Sequence, residues 1–197
     1  MYDIAAIVLA AGRGTRFDAG PKLLAVLDGQ PLVRHVVHAA IVSAADPVFV
    51  VTGHRSDEVE AALAGLETRF VSNPLHEDGL STSLKAGFSA LPEETKAAII
   101  LLGDMPLIRP DLIDTLVNAW RKKGEPAALI PTLDGRRGNP VVLSRILEPD
   151  IMMLTGDTGA GLILRGRSDV VEYPVDERAV LQDVDTVEDF RNLSCEA

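Results

Sequence analysis

Short apolar runs alternate with helical patterns along this chain, and that alternation constrains its fold more than any single motif does. Ile4 to Leu9, Pro47 to Thr52 and Ala97 to Leu102 are β-branched and aliphatic runs typical of strands covered on both faces. Helices are predicted between and after them, for example over Pro31 to Ser43 and Pro110 to Lys122. The alternation predicts a Rossmann-like, doubly wound α/β fold of the nucleotide-diphospho-sugar transferase type, with a mostly parallel sheet.

The remaining elements are predicted from weaker patterns. Strands are expected at Thr68 to Ser72, Ala127 to Thr132, Val141 to Leu143 and Val170 to Tyr173, with a hairpin turn at Asp134-Gly135, and helices from Ser56, over Leu80 to Leu91, over Thr158 to Leu164 and over Val187 to Leu193. No repeat, low-complexity segment or long linker divides the sequence. One three-layer domain over residues 1–197 is therefore predicted.

Composition excludes several classes of function. The formal net charge of −10 disfavours a nucleic-acid groove, whereas a nucleotide needs only local cations. No apolar run is long enough for a membrane helix, and the first residues lack the basic segment of a signal peptide. The single cysteine, Cys195, excludes an intrachain disulfide framework and is a poor candidate nucleophile at a frayed end. We therefore expect a cytoplasmic protein that binds small molecules, not nucleic acid or membrane.

A glycine-rich segment follows the first predicted strand. It runs Leu9-Ala10-Ala11-Gly12-Arg13-Gly14-Thr15-Arg16, with Pro21-Lys22 shortly after. Backbone N–H groups beside cationic side chains are what a polyphosphate requires, so we expect a nucleotide here. The segment matches neither the Walker A loop nor the dinucleotide fingerprint. The alternative is a tight strand-to-helix turn without a ligand.

Polar residues also follow other predicted strands, at Thr52-Gly53, Asn73 and Gly103-Asp104. In a parallel sheet these strand ends share one edge, where ligands bind. Asp104 is expected to hold a divalent metal, since Mg²⁺ is usually bound by one or two carboxylates and phosphate oxygens. His54 and His76 flank this edge without an assignable role.

Two groups of polar residues have a second interpretation as helix caps. One of Asp183 and Asp185 could complete the metal site with Asp104; alternatively the segment is a solvated turn into the final helix, with Asp185 or Thr186 as its N-cap. Asn73 and the segment Ser81-Thr82-Ser83 either read the base and ribose of a nucleotide or cap the helix that starts near Leu80. The residue types alone leave these alternatives open.

Several motifs together resemble one family. They are the opening glycine segment, Asn73-Pro74 with Gly79-Leu80-Ser81-Thr82-Ser83, Gly103-Asp104-Met105-Pro106, and Asp183-Val184-Asp185-Thr186 with Glu188-Asp189-Phe190. They are similar to the nucleotidyltransferases with the molybdopterin-guanine-dinucleotide-synthase type of fold, and within it to the molybdenum cofactor cytidylyltransferases. The resemblance implies transfer of CMP from CTP to the terminal phosphate of the molybdenum-bearing molybdopterin cofactor, with release of pyrophosphate.

The resemblance also implies roles for particular residues. Arg16, Lys22 and Asp104 would be catalytic, and Asp104 and Asp185 would hold Mg²⁺ or Mn²⁺. The nucleotide would be bound by Leu9, Ala10, Ala11, Gly12, Arg13, Gly14, Lys22, Thr52, Asn73, Gly79, Ser81 and Ser83. The acceptor would be bound by Gly138, Asn139, Pro140, Asp157 and Gly159. A molybdoenzyme of the xanthine dehydrogenase type would receive the product.

The chain departs from this family twice on the acceptor side. Asn139 stands where the family frequently has histidine, and Gly161 where arginine is usual. These departures keep two alternatives open: a GTP-using or sugar-phosphate nucleotidyltransferase of the same fold, and a non-catalytic molybdenum cofactor carrier. The retained cations and carboxylates argue against a carrier, which has no need of a triphosphate site.

Overall fold

The computed structural model describes residues 3–196, and the side chains within that range up to residue 193. The side chain of Cys195, the poor candidate nucleophile of the sequence analysis, therefore lies outside the described side chains. The strands are β1 Ile4–Ala10, β2 Val26–Leu27, β3 Gln30–Pro31, β4 Val48–Thr52, β5 Arg69–Ser72, β6 Ala97–Leu102, β7 Ala128–Leu133, β8 Arg136–Arg137, β9 Val141–Ser144 and β10 Val170–Pro174. The helices are α1 Leu32–Val42, α2 Ser56–Ala62, α3 Leu80–Ser89, α4 Pro110–Lys122, α5 Glu148–Met153 and α6 Val187–Glu196.

The central sheet has the strand order β10-β7-β9-β6-β1-β4-β5, with β8 added to β7. β1 pairs in parallel with both β4 and β6, β4 with β5, and β7 with β10. β9 runs antiparallel between β6 and β7. The doubly wound, mostly parallel sheet expected from the sequence is thus confirmed, with one reversed strand inside it.

The alternation of side chains along β1 divides the core into two layers. Ile4, Ala6 and Val8 pack with buried residues of α1, α2 and α4, whereas Ala5 and Ile7 pack with those of α3 and α5. Both faces are apolar because helices cover both, which is why the strand reads as a continuous hydrophobic run. The sheet therefore lies between two helical layers.

Backbone hydrogen bonds join the strand ends along the carboxyl edge of the sheet. The amide of Gly103 donates to the carbonyl of Leu9 (3.0 Å), and the amide of Asn73 donates to Thr52 (2.8 Å). The glycine segment after β1, the turn after β4 and the residues after β6 therefore share one edge, as the sequence predicted.

The structure differs from the sequence-based expectation in the last third of the chain. The helix expected over Thr158 to Leu164 is a single 3-10 turn, Ala160–Leu162. Glycines flank and interrupt this segment, and each one in a helix costs about 1 kcal/mol relative to alanine. The helix α5 was not expected, because six residues are too few to show a helical period. A second Asp-Gly hairpin turn, Asp28-Gly29 with φ of 50° and 79°, was also missed.

None of the helices within residues 3–196 has the length and apolar character that crossing a membrane would require.

Gly87 sets the distance between α3 and the sheet, and its replacement tests this packing. A Cβ at this position would lie 2.6 Å from Cγ2 of Ile7 and 3.3 Å from Cγ2 of Val51. We expect Gly87→Val to lower the free energy of unfolding by about 2 kcal/mol, since a filled core has no room for extra methyl groups. Urea unfolding measures the change. Ser89→Val, at an exposed position of the same helix, is the control, and an equal loss in both variants would contradict the packing argument.

Candidate functional site

A cleft of about 640 Å³ opens at the carboxyl edge of the sheet. Its walls come from the glycine segment with Lys22, from the end of β6 with Asp104, from the segment before α6, and from the start of α3. The lining residues are Leu9, Ala11, Gly12, Arg13, Gly14, Thr15, Arg16, Lys22, Leu23, His76, Glu77, Gly79, Leu80, Ser83, Leu102, Asp104, Asp157, Asp183 and Asp185. Most of the predicted nucleotide and metal residues thus meet in one place.

The glycine segment turns sharply after β1. Gly14 has φ +58°, a left-handed conformation, and its carbonyl accepts from the amide of Phe17 at 3.0 Å. A Cβ on Gly14 would also lie 2.9 Å from Cβ of Lys22. A glycine is therefore required at this position both by the backbone conformation and by the closeness of Lys22.

Lys22 links two carboxylates that are far apart in sequence. Its Nζ lies 2.6 Å from Oδ2 of Asp104 and 3.2 Å from Oδ1 of Asp185, and its side chain is only 11% exposed. Arg16, 75% exposed, reaches the other oxygen of Asp185 at 2.7 Å. These four side chains form a charged cluster at the base of the cleft, named here the Lys22 cluster.

The environment of the cluster shifts two pKa values. Burial alone lowers the pKa of Lys22, but the negative charges of Asp104 and Asp185 outweigh burial, so that its pKa is raised. Burial raises the pKa of Asp183, and the negative charges of Asp185 and Asp104 add to that rise. The ammonium of Lys22 is therefore held in its charged form.

The segment before α6 is fixed against the end of β6. The amide of Val184 donates to the carbonyl of Asp104 at 2.9 Å, which brings Asp185 beside Asp104. The amide of Asp189 donates to Oγ1 of Thr186 (3.1 Å), and the amide of Thr186 donates to Oδ2 of Asp189 (2.7 Å). This reciprocal pair is a capping box. Thr186 rather than Asp185 therefore caps α6, and the carboxylate of Asp185 points to the cluster.

The chemistry of the cluster fits a divalent cation. Oδ1 of Asp104 is buried and has no hydrogen-bond partner, an arrangement that costs free energy unless something binds the oxygen. Within residues 3–196 no group of three or more His, Cys, Asp or Glu side chains could hold a metal by itself. A cation bound by Asp104 and Asp185 would thus take its remaining ligands from water or from a substrate's phosphates, as Mg²⁺ commonly does.

Several residues predicted to bind the nucleotide lie behind the cleft wall. The buried amide of Asn73 donates to Oγ1 of Thr82 (2.9 Å) and Oγ of Ser83 (3.0 Å), joining the end of β5 to the start of α3. Thr52 is buried and donates to Glu60. Ser81 is buried with a hydroxyl that has no partner, and Ala10 belongs to the core. Of the predicted residues on this wall, Gly79 and Ser83 line the cleft.

The start of α3 is capped from another segment rather than by its own side chains. The N-cap residue, Gly79, has no side chain with which to cap the helix. Instead, the amide of Leu80 donates to Oδ1 of Asp157 at 3.3 Å. A Cβ on Gly79 would lie 2.3 Å from the carbonyl carbon of Gly156. The loop expected to hold the acceptor therefore lies directly on the helix expected to hold the nucleotide.

The predicted acceptor residues fall into two groups. Asp157 lines the cleft, and Gly159 lies beside Leu80 on the same wall. The second group, residues 138–140, precedes β9 at the carboxyl edge but does not line the cleft. The amide of Asn139 donates to the carbonyl of Val180 at 2.9 Å, and a Cβ on Gly138 would lie 2.3 Å from that oxygen. Of the predicted acceptor residues, Asp157 lines the cleft, whereas residues 138–140 do not.

Sequence reasoning missed a charged residue of the cleft, Glu77, and gave the neighbouring His76 no role. Glu77, in the 3-10 turn before α3, forms an ion pair with Arg13 at 3.2 Å across the opening. His76 lines the cleft with a buried Nδ1 that has no partner. Both residues lie between the end of β5 and Gly79, just after Asn73-Pro74. That position at the carboxyl edge of the sheet could have indicated that they line the cleft.

The chain belongs to the family of proteins with a MobA-like NTP transferase domain, whose model matches residues 6–172. It is 36% identical over 152 residues to the bifunctional protein GlmU of Sorangium cellulosum, a match that covers 74% of this chain and 32% of that protein. The chain spans about a third of the length of the curated relatives it matches.

Solved structures of similar fold cover nearly the whole chain. Rv0371c of Mycobacterium tuberculosis aligns with a TM-score of 0.86 and 26% identity, over 99% of this chain and 98% of that one. Its complex with manganese aligns with a TM-score of 0.85 and 26% identity, over 99% of this chain and 100% of that one. Molybdopterin-guanine dinucleotide biosynthesis protein A of Archaeoglobus fulgidus shares the fold, with a TM-score of 0.74 and 20% identity, over 98% of this chain and 97% of that one.

Replacement of Gly79 tests the contact between the two loops. Gly79 has φ +105°, and a Cβ there meets the backbone of residues 156–157. We expect Gly79→Ala to lower the free energy of unfolding by about 2 kcal/mol or more, because the strained backbone and the overlap with fixed backbone atoms add together.

Gly20→Ala is the matched control, and thermal unfolding compares the two variants. Gly20 has a similar φ (+111°), but its Cβ would meet nothing within 4 Å, so this variant reports the cost of the backbone conformation without the overlap. If the two variants lose the same stability, the close approach at Gly79 has no energetic role.

Proposed function

We propose that the protein transfers CMP from CTP to the terminal phosphate of the molybdenum-bearing molybdopterin cofactor and releases pyrophosphate. The observation that carries the proposal is the Lys22 cluster, where cations of the glycine segment meet Asp104 and Asp185 at the carboxyl edge of the sheet. Membership of the MobA-like NTP transferase domain family supports a nucleoside triphosphate as donor. The resemblance of Gly79 to Ser83 to the cytidylyl branch supports CTP.

The triphosphate would lie between the glycine segment and the Lys22 cluster. The amides of Gly12 and Gly14, with Arg16 and Lys22, would hold the β- and γ-phosphates. The base and ribose would then lie against the start of α3, where Gly79 and Ser83 line the cleft. This orientation leaves the α-phosphate beside Asp104.

Asp104 and Asp185 would hold Mg²⁺ or Mn²⁺. The buried, unpartnered oxygen of Asp104 supports this assignment, and so does the manganese complex of the similar Rv0371c. When bound, the cation would neutralise charge on phosphate oxygens of the donor.

The proposed reaction needs positioning more than proton transfer. The attacking oxygen of the acceptor phosphate is ionised at neutral pH, so no general base is required. It forms a bond to the α-phosphorus while the bond to the bridging oxygen breaks, and the electron pair leaves with pyrophosphate. Lys22 and Arg16 would stabilise the charge that develops on that leaving group, and the cleft walls would hold the reactants in line.

The acceptor side of the cleft differs from the family in two ways. Asp157 lines the cleft, but residues 138–140 are bonded to Val180 beside it, and Asn139 and Gly161 depart from the family. These observations favour, as a second candidate, a sugar-phosphate acceptor handled by the same donor site. A molybdoenzyme of the xanthine dehydrogenase type as the recipient of the product belongs to the first candidate.

A thermal-shift panel identifies the donor. We expect CTP with Mg²⁺ to raise the melting temperature more than GTP, ATP or UTP, because a ligand that binds only the folded protein stabilises it by mass action. Each nucleotide is measured with and without Mg²⁺. A larger shift with GTP moves the proposal to the guanylyl branch, and no shift with any nucleotide contradicts a transferase.

Replacement of Asp104 tests the assignment of the catalytic carboxylate. We expect Asp104→Ala to fold and to lower pyrophosphate release from CTP and cofactor by at least about 100-fold, the range seen when an electrostatic group at a reaction centre is removed. Asp111→Ala is the control, since Asp111 is an exposed carboxylate at the start of α4 that pairs with Arg109. Full activity in Asp104→Ala would exclude Asp104 from the reaction.

A further inference from the structure

One ammonium group lies where two carboxylates converge. Nζ of Lys22 contacts Oδ2 of Asp104 and Oδ1 of Asp185, the side chains to which the divalent cation is assigned above. The Lys22 side chain is nearly buried, so water screens these contacts weakly. A cation bound by the same two carboxylates would therefore lie close to the charge of Lys22.

The local charge is close to balance without a metal. The positive charges of Lys22 and Arg16 face the negative charges of Asp104 and Asp185, and Asp183 adds a further carboxylate to the cleft. A free divalent cation would have to displace Lys22 with no new anion to receive its charge. A triphosphate supplies that anion.

We infer that Lys22 occupies the place of the divalent cation while the cleft holds no nucleotide, and that the cation binds together with the triphosphate, whose phosphate oxygens receive the ammonium of Lys22. The inference rests on the proposed nucleotide and metal site but not on the identity of the base or of the acceptor. It assigns Lys22 a second role besides holding phosphate: it controls when the metal binds.

The surroundings of Lys22 permit the required movement. Its backbone is fixed, because the carbonyl of Lys22 accepts from the amide of Ala25 at 3.1 Å. Its stem runs along Gly14, where a Cβ would lie 2.9 Å from Cβ and 3.6 Å from Cε of Lys22. Since the glycine has no side chain, rotation about the four-carbon stem carries the ammonium from the carboxylates toward the loop.

The consequence is coupling between metal and nucleotide. If the triphosphate removes Lys22 from the carboxylates, it raises their affinity for the cation, and the cation raises the affinity for the triphosphate by the same factor. Such coupling typically amounts to about 5- to 150-fold.

Binding of Mn²⁺, followed by the EPR signal of the free ion, tests this role without turnover. For the wild-type protein we expect weak binding of Mn²⁺ alone and about tenfold or tighter binding when CTP is present. Lys22→Met keeps the length of the side chain and removes its charge. We expect it to bind Mn²⁺ alone about tenfold more tightly than the wild type does, with the added effect of CTP much reduced.

Two controls and one substitute variant make the test decisive. Lys123→Met, at an exposed position after α4, should bind Mn²⁺ as the wild type does. Arg16→Met should show a smaller gain than Lys22→Met, because Arg16 contacts only Asp185 and is mostly exposed. Lys22→Gln takes the place of Lys22→Met if circular dichroism shows that the latter is unfolded.

The outcomes separate this inference from the proposed function. If wild type and Lys22→Met bind Mn²⁺ equally without nucleotide, Lys22 does not exclude the metal and the inference is wrong. If the wild type binds Mn²⁺ as tightly without a nucleotide as with CTP, the inference is also wrong. If Mn²⁺ binds to no variant with any of the four nucleotides, the metal site itself fails, and the proposed function fails with it.

Discussion

The contact of Lys22 with Asp104 and Asp185 joins three segments that are distant in sequence, and the charge distribution of the cleft depends on it. An ion pair of this kind is a weak source of stability, because desolvation of the charges offsets most of their attraction. The stability of the arrangement comes from an apolar cluster that packs α6 against β2 and the start of α1. Its buried members are Phe17, Leu27, Leu32, Val184 and Leu193. Apolar packing thus positions the charged side chains, and these side chains form the Lys22 cluster.

The reversed strand β9 places more of the chain at the same edge. Parallel strands deliver their carboxyl ends to the cleft, whereas an antiparallel strand delivers its amino end. Val141 pairs with Ile100, so residues 138–140 arrive beside the end of β6. The proposed donor side of the cleft is therefore built from strand ends, and the segment that enters β9 lies beside β6. In a purely parallel sheet, the residues that precede β9 would lie at the opposite edge of the sheet.

The sequence predicted those parts of the molecule in which a short pattern determines structure. The strands β1, β4 and β6 read as apolar runs, and from the alternation one could infer that Leu9 and Asp104 share an edge. The sequence could not show that the side-chain amide of Asn73 donates to Thr82 and Ser83, since that depends on how closely α3 approaches β5. Nor could it choose between Asp185 and Thr186 as the cap of α6. Either residue type forms such a cap, and the choice depends on where the backbone enters the first turn of the helix.

The contact between Gly79 and the loop at Gly156 has the widest consequence for function. The amide of Leu80 has its partner in Asp157, so the first turn of α3 is completed by the opposite loop. A movement of that loop would release an amide at the helix start and alter the wall that carries Ser83. An acceptor that touched Asp157 would therefore act on the nucleotide side of the cleft as well. Because the amide of Ser81 also donates to the carbonyl of Gly156 at 3.3 Å, binding on the proposed acceptor side would be mechanically linked to binding on the proposed nucleotide side.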